Sequence, residues 1–449
     1  MVKSSKFLYS FNVKDHIFSK DYVSKPYWWE RTPRPKIQDY PLPKSSDVVI
    51  LGSGYTGLSA AIQTTQYNLQ TVVIDANDAG WGCSTRNGGQ ISSSIKGSYA
   101  ELSQQYGENQ AIALIKTGKE AFRWIEKFIQ KNNIDCDYLN SGRFHGAHTP
   151  NEFRYMCKTL NQTPESLKKG VYTVNIEQQT TEIGSQYYYG GTINPDCSSI
   201  DPARYHRALL DISMQQGCQI ITNCKGTHIQ KQNGIFRVST SKGTIQARDV
   251  IVATNGYTDN SMPWIHRRVI PIGSYIIATE PLPEGMIDEL LPTNRVITDT
   301  LKLVVYYRAC PERKRILFGG RVSIGETEPT ISAPMLRKLM LERFPALSDF
   351  RITHSWMGFV AYTFDQLPHM GEHDGVHYCL GYCGSGISLS SYLGAETGLR
   401  VAGKTSQDSA LDKHNLQGRF YYWGNPWFLK PSVLYYRTRD RLSSRKNHR

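Results

Sequence analysis

With 449 residues, 39% of them apolar and 27 of them tyrosine, the chain is too long for one small core and too apolar to be disordered. Part of its formal net charge of +13 crowds one end as Arg437, Arg439, Arg441, Arg445, Lys446 and Arg449, which admits RNA, anionic lipid or an anionic ligand without choosing among them. No apolar run reaches the about 18 residues of a membrane span, and the N-terminus lacks the apolar stretch of a secretory signal, so a cytoplasmic protein with no membrane partner is expected.

Residues 1–43 read as an extension. Pro33 and Pro35 forbid a regular helix there, and Tyr27, Trp28 and Trp29 are expected to pack over a domain surface. Residues 47–51 are apolar and β-branched, as a buried parallel strand requires. The turn Gly52-Ser53-Gly54-Tyr55-Thr56-Gly57 follows, then a helical stretch from Leu58, then a second strand over 71–74 that ends at Asp75 and Ala76. This is a β–α–β unit with the dinucleotide fingerprint in its proper place. Gly52 makes the tight turn, Gly54 lets backbone amides approach a pyrophosphate, and Gly57 permits close packing of helix on strand. The Asp75 carboxylate suits ribose hydroxyls and disfavours a 2′-phosphate, which argues against NADP and leaves NAD and FAD open.

Residues 250–254 form another buried strand and run into Asn255 and Gly256. Residues 376–380 form a third, which runs into Gly381-Tyr382-Cys383-Gly384-Ser385-Gly386-Ile387 and a helix beginning near Ser388. The expected architecture is α/β, with a discontinuous Rossmann-like domain over 44–95, 200–260 and 355–405. A second, α+β domain on an antiparallel or mixed sheet takes 96–199 and 261–354, with strands at 275–279, 304–307 and 315–318, and 406–449 is a basic C-terminal extension. Nine cysteines without regular spacing read as reduced thiols. Cys379 and Cys383 lie near His373 and His377, but the glycines among them suit a ligand-hugging turn, so no metal is expected.

The residues Gly80-Trp81-Gly82-Cys83-Ser84-Thr85-Arg86-Asn87-Gly88-Gly89-Gln90 closely resemble the Gly-x-Gly-Ala-Ser-Gly-Arg-Asn-Gly-Gly-Gln signature of the D-amino-acid-oxidase superfamily of flavoenzymes. Ile200-Asp201-Pro202, Tyr306-Tyr307-Arg308, Trp356-x-Gly358 and the Gly381 to Gly386 turn extend the similarity over roughly 25–430, and within the superfamily the chain is most similar to the gamma-glutamylputrescine oxidase group. The resemblance implies FAD in an extended pose, its ring between the two domains. Gly52, Gly54, Tyr55, Thr56, Gly57, Asp75 and Ala76 would hold its nucleotide end. Ser84, Thr85, Arg86, Asn87, Gly88, Gly89 and Gln90 would run along pyrophosphate and flavin, with Thr254, Asn255 and Gly256 beside them. Gly384, Ser385, Gly386 and Ile387 would donate to the flavin carbonyls.

Three comparisons within the superfamily sharpen the expectation. Monomeric sarcosine oxidase bonds its flavin to a cysteine where this chain has Val360, so FAD is expected to be non-covalent at that position, although Cys83 and Cys383 leave another link open. Tyr362 matches a tyrosine of the substrate pocket. Ser388 stands where a lysine holds the substrate carboxylate, which favours an amine, or a substrate whose carboxylate lies elsewhere. Leu317 stands at the place of the lysine associated with oxygen, leaving Arg86 or Arg321 to supply positive charge.

The expected reaction is oxidation of the C–N bond of a small amine, gamma-glutamylputrescine-like or another primary or secondary amine. The imine formed hydrolyses to an aldehyde, and O2 accepts the electrons. Tyr275, Tyr306 and Trp356 are candidates to wall the pocket by apolar and cation–π contact. His266, His354 and His369 are candidates for proton handling beside a plainer structural role. The alternatives are a dehydrogenase that passes electrons to a quinone or carrier, a flavin-dependent tRNA-modifying enzyme, and a catalytically silent flavin scaffold. Concentration of the basic excess at the tail disfavours nucleic acid, and the oligomeric state is not legible.

Overall fold

The computed structural model describes residues 17–322, 326–405 and 409–445, so Lys446 and Arg449 lie outside the described residues. Two sheets organise the chain. In the first, Ser45–Leu51 pairs in parallel with Thr71–Ile74 on one side and Gly243–Val252 on the other, and Gln219–Ile221 and Val376–Leu380 extend the parallel row. Val48, Val49, Ile50 and Val73 are fully buried, because helices and a side layer cover both faces of the row. Tyr55–Gln66, Pro202–Gln215 and Gly386–Val401 supply the helical cover. The first and third of these pack backbone to backbone: a Cβ on Gly394 or Gly398 would lie 2.4 Å from the Thr56 carbonyl oxygen or 2.5 Å from that of Ala60. This approach brings two helix N-termini to one side of the sheet.

The second sheet has nine strands. Its central ones, Ile352–Tyr362, Ile270–Thr279, Ile316–Gly320 and Val305–Ala309, are antiparallel, and Val296–Asp299 continues them into a parallel pairing with Arg143–Gly146. Helix Pro329–Arg343 covers one face, where Arg343 and Asp299, both without exposed side-chain area, form a 2.6 Å ion pair. No helix among the described residues is long and apolar enough to cross a membrane.

Four placements differ from the expected boundaries. Phe18–Val23 is no loose extension; it is the edge strand of the second sheet, parallel to Ile352–Tyr362. A four-residue helix, Trp28–Arg31, fits ahead of the two prolines. Helix Glu108–Lys131 buries Phe122, Ile125 and Ile129 against the first core rather than the second, because after the edge strand the chain does not return to the second sheet until Arg143. Strand Ile352–Tyr362 belongs to the second sheet along its whole length, so the return to the first follows Tyr362 rather than starting at 355.

Candidate active site

A cavity of about 960 Å³ lies between the two sheets. That is near the upper end of the about 300–1,000 Å³ usual for ligand sites, roomy enough for a large cofactor. At one end lie Gly52, Gly54, Tyr55 and Thr56, at the start of a helix that has no side-chain cap. Apart from that of Tyr55, which Ser84 accepts, its first-turn N–H groups are available to an anion. A Cβ on Gly54 would come within 2.9 Å of Ser84 Oγ, which accepts the N–H of Tyr55 at 3.0 Å. Asp75 and Ala76 line the same end. Asp75 Oδ2 accepts from the backbone N and Oγ of Ser53 at 2.8 and 2.7 Å, and Oδ1 accepts from Asn77 N at 2.9 Å. Burial raises the Asp75 pKa against these bonds, and one lone-pair direction stays free for a hydroxyl donor.

Past this end the cavity runs along Ser84, Arg86, Asn87, Gly88 and Gln90 and meets a second uncapped N-terminus at Gly384, Ser385, Gly386 and Ile387, with Thr254 and Asn255 beside it. Glycine at the close approaches, two unsatisfied helix starts and a carboxylate one strand away fit an extended dinucleotide such as FAD.

Four residues expected at the cofactor do not line the cavity; they shape the turns that do. Gly57 packs against the Gly52 carbonyl, and Thr85 donates its hydroxyl to the Gly80 carbonyl. The Gly89 carbonyl accepts from Arg308 Nη1 at 2.8 Å, and Gly256 packs against Phe359.

The flavin-loop candidates are held from outside by three tryptophans, two of them from the N-terminal segment expected to pack its aromatics over a domain surface. Trp28 Nε1 donates to the Asn87 carbonyl, Trp29 Nε1 to Thr85 Oγ1 and Trp356 Nε1 to the Arg86 carbonyl, each at 2.8 Å. Arg86 lines the cavity, but its guanidinium lies 4.6 and 4.5 Å from the ring centres of Trp29 and Trp81 and donates to the Trp81 and Met357 carbonyls. Two of its N–H groups are thus engaged by backbone carbonyls, one in the loop and one in the second sheet. Arg321 also lines the cavity and is paired with Glu326 at 3.0 Å. His206, another residue missed in the sequence, bonds the Ser53 carbonyl through Nε2 at 2.7 Å, and burial lowers its pKa to about 4.

The other end of the cavity is aromatic and basic. Tyr306, Phe359, Tyr362, Phe364, Tyr421, Phe428 and Tyr436 line it, the last three from the C-terminal segment. Tyr275 and Trp356 do not line it, being buried in their sheet, and neither do His266, His354 and His369. His354 pairs with Glu30 at 2.8 Å and His369 with Asp365 at 3.0 Å. Ser388 is buried, donating to the Ser92 carbonyl at 2.7 Å.

Two cations here were not anticipated. Lys96 lies 5.9 Å from the Tyr362 ring centre, and burial together with Arg143 and Lys302 holds its ammonium below the usual lysine range. Arg143 reaches only the hydroxyls of Ser92 and Ser94, at 3.5 and 3.3 Å, and its Nε is buried without a partner. Neither forms an ion pair with an acid among the described residues. Between them and Thr298 sits His145, whose pKa burial and the same two cations depress to about 3, so it is neutral. Only the pairing of a β-like Arg-x-His with a lysine just past the glycine turn hinted at this cluster, and the two are 47 residues apart in the sequence, since 143 minus 96 is 47.

Comparison with known proteins agrees with this geometry. A family model described as FAD dependent oxidoreductase (DAO) matches residues 47–398. The chain is 29% identical over 394 residues to a probable oxidoreductase OrdL of Haemophilus influenzae, covering 86% of this chain and 88% of that protein. It is 29% identical over 405 residues to a gamma-glutamylputrescine oxidoreductase of Escherichia coli, covering 88% and 93%. Its fold is similar to that of a glycine oxidase from Geobacillus kaustophilus, with a TM-score of 0.70 at 17% identity, covering 84% of this chain and 100% of that one.

Proposed function

The chain belongs to the FAD dependent oxidoreductase family and is an FAD enzyme acting on amine groups, and from that premise we propose that it oxidises a C–N bond of a small amine that also carries an anionic group, with O2 as acceptor. The observation that carries this reading is the pair of half-buried cations Lys96 and Arg143 in the cavity wall, Lys96 beside Tyr362, neither with an acidic partner among the described residues. Two like charges in a low-dielectric wall favour a ligand carboxylate, which regains for both what burial takes away.

The same wall bears on the amine. The acids that reach the cavity are engaged elsewhere: Asp75 at the nucleotide end, Asp259 with Lys225, and Asp299 with Arg343. With cations nearby and no free carboxylate, the amine binds uncharged, as loss of its α-hydrogen with an electron pair requires. Tyr306, Tyr362 and Phe359 supply an apolar, aromatic bed for its chain. Neutral His145 is in place to accept a hydrogen bond without adding charge.

FAD would be held by Gly52, Gly54, Tyr55, Thr56, Asp75, Ala76, Ser84, Asn87, Gly88, Gln90, Thr254, Asn255 and the 384–387 turn, and when bound it supplies the two-electron acceptor. Gly57, Thr85, Gly89 and Gly256 keep those turns in shape. Tyr362 touches substrate, and Arg86 and Arg321 contribute positive potential. Attachment is non-covalent: Val360 has no thiol, and burial pushes the Cys83 and Cys383 thiols each up to about 11, away from the reactive thiolate. Flavin that stays with the pellet on acid precipitation would overturn that part.

The experiment is an anaerobic titration of the flavin band near ~450 nm with gamma-glutamylputrescine, whose glutamyl head carries a carboxylate, and with putrescine, which has none. Bleaching by the first at much lower concentration is expected, and Lys96→Ala should erase most of that preference by raising only the first midpoint, about tenfold or more. Equal response to both amines sinks the anion reading. Hydrogen peroxide formed one for one with product is expected in air; turnover without it would move the acceptor to a quinone or carrier.

A further inference from the structure

The C-terminal segment turns two sides in opposite directions. Leu429, Ser432, Val433 and Tyr436, spaced as one face of helix Leu429–Arg445, line the cavity. The other side is aromatic and uncovered: Phe420 is 91% exposed, Trp423 64% and Trp427 61%, and Leu434 and Tyr435 carry the strip along the helix. The exposed rings rest on rings that line the cavity, Phe420 on Tyr421 at 5.3 Å and Trp427 on Phe428 at 5.8 Å.

Its charge is of one sign. Residues 415–440 hold Arg419, Lys430, Arg437 and Arg439 against one acid, Asp440. That acid is turned inward, accepting the backbone N–H groups of Lys302 and Leu303 at 3.2 and 3.3 Å. Arg267 adds a further cation 4.4 Å over the Trp423 ring.

We propose that this strip is a peripheral docking surface for an anionic lipid bilayer, lying in the headgroup layer without crossing it. Trp and Tyr have an apolar body and a polar tip, the combination that favours the water–lipid boundary. Lys and Arg beside them are drawn to anionic headgroups, and a helix with basic and apolar residues on its outer side lies flat in that layer. A second copy of the chain is the poorer occupant, because a twofold contact would set this cationic strip against itself. The expectation of no membrane partner rested on the lack of a spanning run, which does not bear on a surface contact.

The test uses the full-length FAD-loaded protein, sedimented with phosphatidylcholine vesicles that contain or lack phosphatidylglycerol, at low and high salt. Binding to the anionic vesicles only, lost in high salt and accompanied by a blue shift of tryptophan emission, is the expected result. The triple variant Phe420→Ser, Trp423→Ser, Trp427→Ser and the double variant Lys430→Glu, Arg439→Glu should each weaken binding about tenfold or more while the flavin spectrum stays native. No anionic binding at low salt overturns the proposal. So does binding that the variants leave intact, or a concentration-dependent dimer that the triple variant abolishes.

Discussion

At Gly57 a methyl group would sit 1.9 Å from the Gly52 carbonyl oxygen, so the turn cannot accept one without opening. Gly57→Ala is expected to cost about 1–3 kcal/mol as overpacking and to leave most of the protein without flavin, read from the 450-to-280 nm absorbance ratio and the melting temperature. Gly57 was legible because a fingerprint states its purpose by spacing alone. Lys96 and Arg143 were not, since nothing in a lone lysine after a glycine turn says that it is walled in. Their meaning depends on the absence of acids nearby, and that is a property of three dimensions. Arg86 shows the converse: a motif named it, and two of its donors turn out to be engaged by the Trp81 and Met357 carbonyls.

Among the elements, the parallel strands and the helix after the glycine turn were plain in the sequence because their Val and Ile runs and their glycine punctuation are local signals. Helix Glu108–Lys131 falls in the 96–199 stretch expected in the second domain yet packs on the first core, since amphipathic spacing tells which face is buried but not against what. The C-terminal helix lies in what was expected only as a basic extension, because its arginines outnumber the few apolar residues that roof the cavity. Removing residues 429–449 should leave Tyr422 hydrogen-bonded to the Val269 carbonyl and leave bound flavin unchanged. It should open the aromatic end and raise KM about tenfold with a smaller change in kcat, because the roof contributes ground-state contacts; unchanged KM would remove the roof from the site.

At the scale of the whole molecule, the pH dependence of stability turns on histidines that the fold keeps neutral, among them His206 with its pKa lowered to about 4 and His145 with its pKa lowered to about 3. The unfolded chain takes up a proton at each near pH 6.5 and the folded one does not, so their contribution is intact above pH 6.5 and is lost as the pH falls towards 4 and below. His206 alone accounts for about 3 kcal/mol of that loss. The melting temperature should therefore drop steeply between pH 6.5 and 4, and His206→Asn should flatten the slope whatever it does to stability at neutral pH; an unchanged slope would mean that the ring titrates freely. The overall α/β architecture was legible from the fingerprint and the resemblance, whereas the joining of both ends of the chain to one site was not. That joining has a consequence for synthesis. Trp28 and Trp29 brace the flavin loop and leave the ribosome long before Tyr436, so the cavity keeps an open wall until the C-terminal segment is made, and an amine pocket that early fragments lack is one they cannot use unroofed.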